Sequence, residues 1–352
     1  IKEHLLMSHT SERRDLSEEG LIESFARKVG SLDCLNMLLL LTYADISGIG
    51  PGVWNDWKSA LLWELYTRAR SHFVDDKSLR SSINRRVLFK QQVIRELLPE
   101  FLPSEVERHF AMMPERYQRA NKPTQIARHI RLIGRLKNEQ LACDWYLAPG
   151  GHCTDLTVST RDRTGLFACI AGTLTAHGIN ILSADLNTRE DGLVIDMFKV
   201  SEVNSQQPVK TELYLKVEQN LKAAIEGCYD VAAEVERWRA KSPRRTWRRT
   251  ARKPVQTAVK FDSETSPSGT VIEVRAEDEP GLAYKIASAI AALSLSITFA
   301  KITTEKSHAL DVFYITDARG QKLNMGEMQT VELALLEALS AKPDLKPMKE
   351  VV

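Results

Sequence analysis

The sequence predicts a multi-domain chain, an all-α segment followed by two α+β domains built on one βαββαβ plan. Three observations carry this. At 352 residues the chain is longer than one hydrophobic core ordinarily organises. Residues 1 to about 140 place apolar side chains at helical spacing, and at about Leu141 the texture changes to short β-type runs bounded by glycine and proline. The remainder then matches itself at a shift of 116 residues.

In the helical part, Asp15 and Ser17 stand as capping residues ahead of Leu21, Ile22, Phe25 and Val29, and Gly30 ends that helix. A second helix is expected over 32–46, with the apolar run from Met37 to Leu41 in the core. The glycines and proline of 48–52 cannot continue it. Helical periodicity resumes over 54–73, 82–98, 104–112 and 123–136.

The repeat superimposes Val158 on Val274, Asp162 on Asp278, Gly165 on Gly281, Leu166 on Leu282, Ile181 on Ile297 and Ala184 on Ala300. After a one-residue slip in the hairpin turn at 189–192, where length changes are best tolerated, Asp196 falls on Asp311. Each copy reads as an alternating strand, a helix with apolar residues every fourth position, a strand hairpin, and a second helix over 211–240 or 326–341. This is the split-βαβ plan with helices on one face. A closing strand is expected at 255–261 for the first copy and near 345–352 for the second. The predicted domains are therefore 1–140, 141–264 and 265–352.

Composition excludes several function classes. With 43% hydrophobic residues, 27% charged ones and a formal charge of +2, the chain as a whole shows neither the basic excess of a nucleic-acid binder nor a membrane-protein composition. No apolar run reaches the ~18–20 residues of a membrane span, and no signal peptide is visible. Five scattered cysteines without Cys-x-x-Cys spacing fit reduced thiols in a cytoplasmic protein. The basic run 241–253 reads as a solvated loop, or else as a contact to an acidic protein partner.

The chemistry-bearing residues fall in two places. Each copy carries Asp-x-x-Gly-Leu at its first strand-to-helix turn: Asp162, Gly165 and Leu166, and Asp278, Gly281 and Leu282. A glycine there lets backbone approach a ligand, and the unpaired N–H groups of the helix start suit a carboxylate. The alternative is a tight turn with Asp as helix cap; its recurrence inside a whole-module repeat favours a ligand. In the helical part, His4, His9 and Asp45 are candidate metal ligands. Imidazole with carboxylate would suit a divalent metal that activates water, although such residues are more often surface or capping groups, and His4 and His9 are five apart instead of sharing a helix face.

The repeated pattern over about 153–341 resembles the ACT domain, a ferredoxin-like regulatory module. That resemblance implies amino-acid binding at an interface between copies, with Asn180, in Gly-Ile-Asn-Ile at the second strand of the first copy, near the ligand. The second copy has Ser296 there, so the two copies are not expected to be equivalent. The strings from His4 to Asp15 (HLLMSHTSERRD), Tyr43-Ala-Asp45-Ile, 50–58 (GPGVWNDWK) and 123–129 (PTQIARH) resemble the end of an HD phosphohydrolase domain in the bifunctional uridylyltransferase and uridylyl-removing family of PII nitrogen signalling. In that family a nucleotidyltransferase domain transfers UMP from UTP to the PII protein, an HD domain removes it, and glutamine sensed by the ACT modules favours removal.

The resemblance implies Mg²⁺ or Mn²⁺ as cofactor, with Asp45 the firmest ligand, His4 next and His9 weakest, and His4 and Asp45 in catalytic roles. No His-Asp dipeptide or Gly-Ser nucleotidyltransferase loop occurs, and the chain begins at Ile1 inside a helix-like segment. It is therefore expected to be a fragment of the family's enzyme, inactive in uridylyl transfer and impaired in removal. Two competing readings are a non-catalytic amino-acid-binding module on a helical platform and an HD and ACT protein of guanosine-tetraphosphate metabolism, which the 54–58 string and the second copy argue against.

Overall fold

The computed structural model describes residues 4–49, 54, 56–74, 90, 92–148, 150–241, 255–305 and 308–340. The chain folds in three layers: ACT-type helices, a single sheet, and the helical segment on the sheet's other face. Eight strands, β1 (Leu141–Tyr146), β2 (Thr154–Thr160), β3 (Ile179–Thr188), β4 (Val194–Glu202), β5 (Ala258–Asp262), β6 (Thr270–Glu277), β7 (Ser296–Glu305) and β8 (His308–Thr316), form one antiparallel sheet in the order β1-β2-β4-β3-β7-β8-β6-β5.

The sheet has an internal two-fold relation that the 116-residue repeat anticipates. At the centre β3 pairs with β7 through Ala184 opposite Ala300, two residues that are equivalents in the repeat. Both copies carry the same irregularity, between Ile181 and Ser183 and between Ile297 and Phe299. The fold class stands, but the edge strand changes place. The strand expected to close the first copy, at 255–261, is β5 and pairs with β6 of the second copy, Val259 opposite Val274. The first copy receives its edge from β1, Cys143 opposite Val158, at the same spacing of 116. Each copy thus runs ββαββα, its edge strand preceding the rest. The strand expected at 345–352 and most of the basic run 241–253 lie outside the described residues.

One face of the sheet is covered by the helices of the two copies. Between β2 and β3 lies Leu166–Ala176, and its counterpart is Leu282–Ala292. After β4 come Thr211–Ile225 and Val231–Lys241, where one helix was expected, and after β8 comes Met325–Ser340. Leu156, Val158, Ile170, Leu174, Phe198, Ile272, Val274, Ile286, Ile290 and Phe313 form one continuous core beneath them.

The helical segment supplies α1 (Leu6–Arg13), α2 (Glu19–Val29), α3 (Leu32–Ile49), α4 (Asp56–Val74), a π-helical turn (Val93–Leu97), α5 (Pro103–Met112), α6 (Glu115–Ala120) and α7 (Pro123–Arg135). In chain order the ACT-side helices are then α8 (Leu166–Ala176), α9 (Thr211–Ile225), α10 (Val231–Lys241), α11 (Leu282–Ala292) and α12 (Met325–Ser340). Of the helix expected over 82–98, residues 82–89 and 91 lie outside the described residues, and α6 was not foreseen. Met7, Phe25, Leu35, Leu62 and Leu65 hold α1 to α4 together. Val106, Phe110, Tyr117, Ile126 and Ile130 form a second cluster that packs on Ile195 and Met197 of β4.

Two expectations about this layer are corrected. Only part of the run at 37–41 is core: Leu38 and Leu39 pack half-buried against Leu35 and Ile46, whereas Met37, Leu40 and Leu41 are 61%, 68% and 41% exposed, because a helix of mostly apolar residues cannot turn every side inward. Asp15 and Ser17 do not cap α2, whose N-cap is Glu18 without a side-chain bond. Asp15 instead accepts from Ser17 and pairs with Arg116, which ties the helical layer to the sheet.

Candidate functional site

The two Asp-x-x-Gly-Leu turns lie against each other's copy. Gly165 and Gly281 sit at φ +76° and +81°, the left-handed region open to glycine, and each forms the N-cap of its helix without a side-chain bond. Neither aspartate is therefore a cap; Asp162 Oδ2 instead accepts from Thr188 Oγ1 at 3.2 Å. A Cβ placed on Gly281 would meet Thr175 of the first copy at 3.2 Å, and one on Gly165 would meet Ala291 of the second at 3.7 Å. Thr175 and Ala291 are equivalents, so each helix start faces the far end of its partner's helix. Leu166 and Leu282 are buried and anchor the turns from below.

Thr175, at the end of α8, faces the turn of the second copy, and Asn180 is exposed near the start of β3, five residues further on. Each helix start thus lies beside the far end of the other copy's first helix. Helix α10 further covers the second copy's turn. Arg239 and Lys285 both bridge to Glu279 at 2.5 Å, and Gly178 lies against the indole of Trp238. The turn of the first copy has Asp162 to Thr164 exposed. Backbone N–H groups at a helix start and a nearby amide or hydroxyl can hold a zwitterion or a carboxylate; they hold no nucleophile or base for bond cleavage.

Two residues outside the predicted set belong to the surroundings of these sites. Asp196 and Asp311 point into the apolar core beneath the turns, and burial, followed by the neighbouring Asp162 or Asp278 carboxylate, pushes both well above the usual carboxylate range. The Thr303 backbone faces Asp311, yet neither oxygen makes a full hydrogen bond. The signal was visible in the repeat: an ionisable residue kept at one place of an otherwise apolar alternation in both copies.

The sheet's outer face connects the sites to the helical layer. Arg116 reaches Asp15 at 2.9 Å, Asp185 at 2.5 Å and the carbonyl oxygen of Thr298 at 3.3 Å, so one guanidinium touches the helical layer and both copies. Lys301, opposite Ser183, donates to the carbonyls of Ser11 and Arg14 at the end of α1, and burial lowers its pKa to about 8. On the first copy, Arg189 donates to His109 Nδ1 at 3.2 Å, His109 Nε2 lies 3.2 Å from Tyr117 Oη, and Tyr117 lies 2.9 Å from His129 Nδ1. Burial holds both histidines neutral, at about 3. With His109 Nδ1 accepting from Arg189, neutral His109 carries its proton on Nε2 and donates to Tyr117.

The predicted metal ligands are not brought together. Asp45 is exposed on α3, His4 precedes α1, and His9 lines a cleft with Arg13 and Lys28, a cationic setting that disfavours a metal. Among the described residues no group of three or more His, Cys, Asp or Glu could hold an ion. The donor set therefore does not fit a complete Mg²⁺ or Mn²⁺ centre. The five cysteines are free thiols. No single described helix is long and apolar enough to cross a membrane.

Residues 154–213 and 270–332, which carry both turns, match the ACT domain family. Along nearly its whole length it is similar to proteins named bifunctional uridylyltransferase/uridylyl-removing enzyme, at 32% identity over 348 residues in Azospirillum brasilense and 34% over 345 residues in Erythrobacter litoralis. Each match covers 97% of this chain and 36% or 37% of the relative, so the chain spans just over a third of their length. The resemblance thus includes the helical layer as well as the ACT modules. Among solved structures, an aspartate kinase from Synechocystis covers 53% of this chain and 27% of its own at 13% identity and a TM-score of 0.29, too slight a likeness to bear on function.

Proposed function

We propose that this chain is the amino-acid-sensing part of an enzyme that attaches and removes uridylyl groups on the PII nitrogen-signalling protein, with glutamine as the effector. The observation that carries the reading is the pair of glycine turns set against each other across the two copies, each a helix start free to take an α-carboxylate, in a chain whose relatives are named for that chemistry. UTP and UMP would be handled elsewhere in the full-length enzyme. Asp45 and His4 remain candidates to contribute to a divalent-metal site for uridylyl removal; the described residues do not complete one, and no hydrolytic step is drawn through them.

Glutamine should raise the melting temperature of the chain, and Gly165→Val or Gly281→Val should reduce or abolish the shift. Calorimetry showing neither heat nor a shift with glutamine would defeat the sensing reading. For the helical layer, Mn²⁺ binding that disappears in Asp45→Ala would support a metal role, and no detectable Mn²⁺ affinity would favour a purely structural platform.

A further inference from the structure

The two glycine turns differ in what lies over them. A Cβ on Gly165 would meet only Ala291 within 4 Å, and Asp162, Arg163 and Thr164 beside it are exposed. At the second turn Asp278 to Gly281 are half-buried, and α10 of the first copy lies across them. Val235 of α10 would come within 3.5 Å of a Cβ on Gly281, and Arg239, one turn further along the same helix face, reaches Glu279 at 2.5 Å. A carboxylate seated on the first N–H groups of α11 would compete with Val235 for the space above Gly281. A ligand can thus reach the first turn from solvent, whereas at the second it must displace α10.

Helix α10 is also lightly held. Of its eleven residues only Val235 is buried, whereas α8, which it packs against, buries nine of eleven. Elements with little buried surface open locally at a fraction of the free energy of global unfolding. Beyond Val235, α10 is held by the Arg239–Glu279 ion pair, by Val231 against Gly172 and by the Trp238 indole against Gly178. The link from α9 passes through Gly227 at φ +78°, where a Cβ would meet nothing within 4 Å. Such a position can absorb the dihedral change of a hinge.

We propose that α10 is a latch over the second amino-acid site, so that the Gly165 turn fills first and occupation of the Gly281 turn releases α10. The latch rests on the sensing function proposed above and adds its regulation. A site open in only a fraction of molecules binds more weakly by that fraction.

The test uses the full chain. Hydrogen exchange without ligand should show 231–241 opening before α8 and α11. Arg239→Glu, which sets like charges against each other at Glu279, should speed that opening and leave α8 unchanged. Glutamine is then titrated by calorimetry into Gly165→Val, which keeps the covered site alone, and into Gly165→Val with Arg239→Glu. The double variant should bind at least about threefold more tightly, the gain from breaking an ion pair that competes with the ligand. A helix that merely supported the site would weaken binding once loosened. The latch is overturned if α10 exchanges only together with α8, or if the folded double variant binds no more tightly than Gly165→Val. If α10 opens first and no variant gives heat with glutamine, it is the sensing reading that fails.

Discussion

The two ACT copies agree on their inner face and disagree on their outer one. Inside, the repeat keeps Gly165 with Gly281, Leu166 with Leu282 and the buried Asp196 with Asp311. Outside, Asp185 of the first copy has Lys301 as its equivalent, and the two charges are opposite. Asp185 receives Arg116, whereas Lys301 receives the carbonyl end of α1. Charge reversal at equivalent positions lets a nearly two-fold sheet bind an asymmetric helical layer in one orientation only. Symmetry is kept at the glycine turns, and its loss fixes what lies behind them.

The largest way to break that arrangement is Arg116→Ala. It strands Asp15, 5% exposed at its side chain, and Asp185 beside it, and should cost about 3 kcal/mol, as for removal of one partner from a buried ion group. Chemical denaturation should show this as a lower midpoint. A loss within a few tenths of a kcal/mol would mean that the outer face is not held by this residue. The inner face is tested by Gly281→Val against Gly165→Val. Both place a β-branched residue at positive φ, which costs on the order of 1–2 kcal/mol. Gly281→Val adds a contact with Thr175 already at 3.2 Å for a bare Cβ, against 3.7 Å at Gly165, so it should be the more destabilising. Equal losses would argue against the closer packing of the second turn.

Much of the inner face was legible from sequence because the same physics is written twice. A repeat at fixed spacing reveals strands, turns and the ionisable core position without any structure. The edge strands were misassigned because the periodicity of 255–261 says that a strand exists but not which neighbour accepts its hydrogen bonds; Val259 could pair with either copy's first strand. The outer face was not legible at all. Asp15 looked like a helix cap because local sequence cannot show that Arg116, a hundred residues on, claims its carboxylate. Met37 to Leu41 was read as core because hydropathy reports what a side chain prefers, not whether a neighbour covers it.

A smaller effect comes from pH. Glu18 holds the second copy's loop through Ser266, and burial raises its carboxyl from 4.5 to about 7. Between those values it is protonated in the folded chain and ionised in the unfolded one. Its contribution to stability should therefore fall as pH climbs from about 4.5 to 7 and level off above, against a rise up to about 6.5 from His109 and His129, which charge only in the unfolded chain there. The loss attributable to this group is on the order of 1 kcal/mol, allowing for the solvent that still reaches it. Glu18→Gln should remove this falling component, so that stability climbs more steeply between pH 4.5 and 7 than in the native chain. Parallel profiles for the two would show that the carboxyl ionises as freely in the fold as outside it. Lys301 titrates above this window in the folded state and leaves it undisturbed.

The finest distinction between the copies is Asn180 against Ser296. Because Thr175, five residues before Asn180, lies against Gly281 of the second copy, Asn180→Ser should weaken the same binding event that Gly281→Val removes. Losing an amide's second polar atom from a ligand contact is worth about 1 kcal/mol, or several-fold in affinity. The reciprocal change, Ser296→Asn, should strengthen the event that depends on Gly165. Calorimetric titration of glutamine into each single variant, and into Asn180→Ser combined with either glycine variant, separates the two events. Asn180→Ser should add nothing to Gly281→Val and should still weaken what remains in Gly165→Val. The opposite pattern would place Asn180 in its own copy's site and undo the exchange of elements across the central strands.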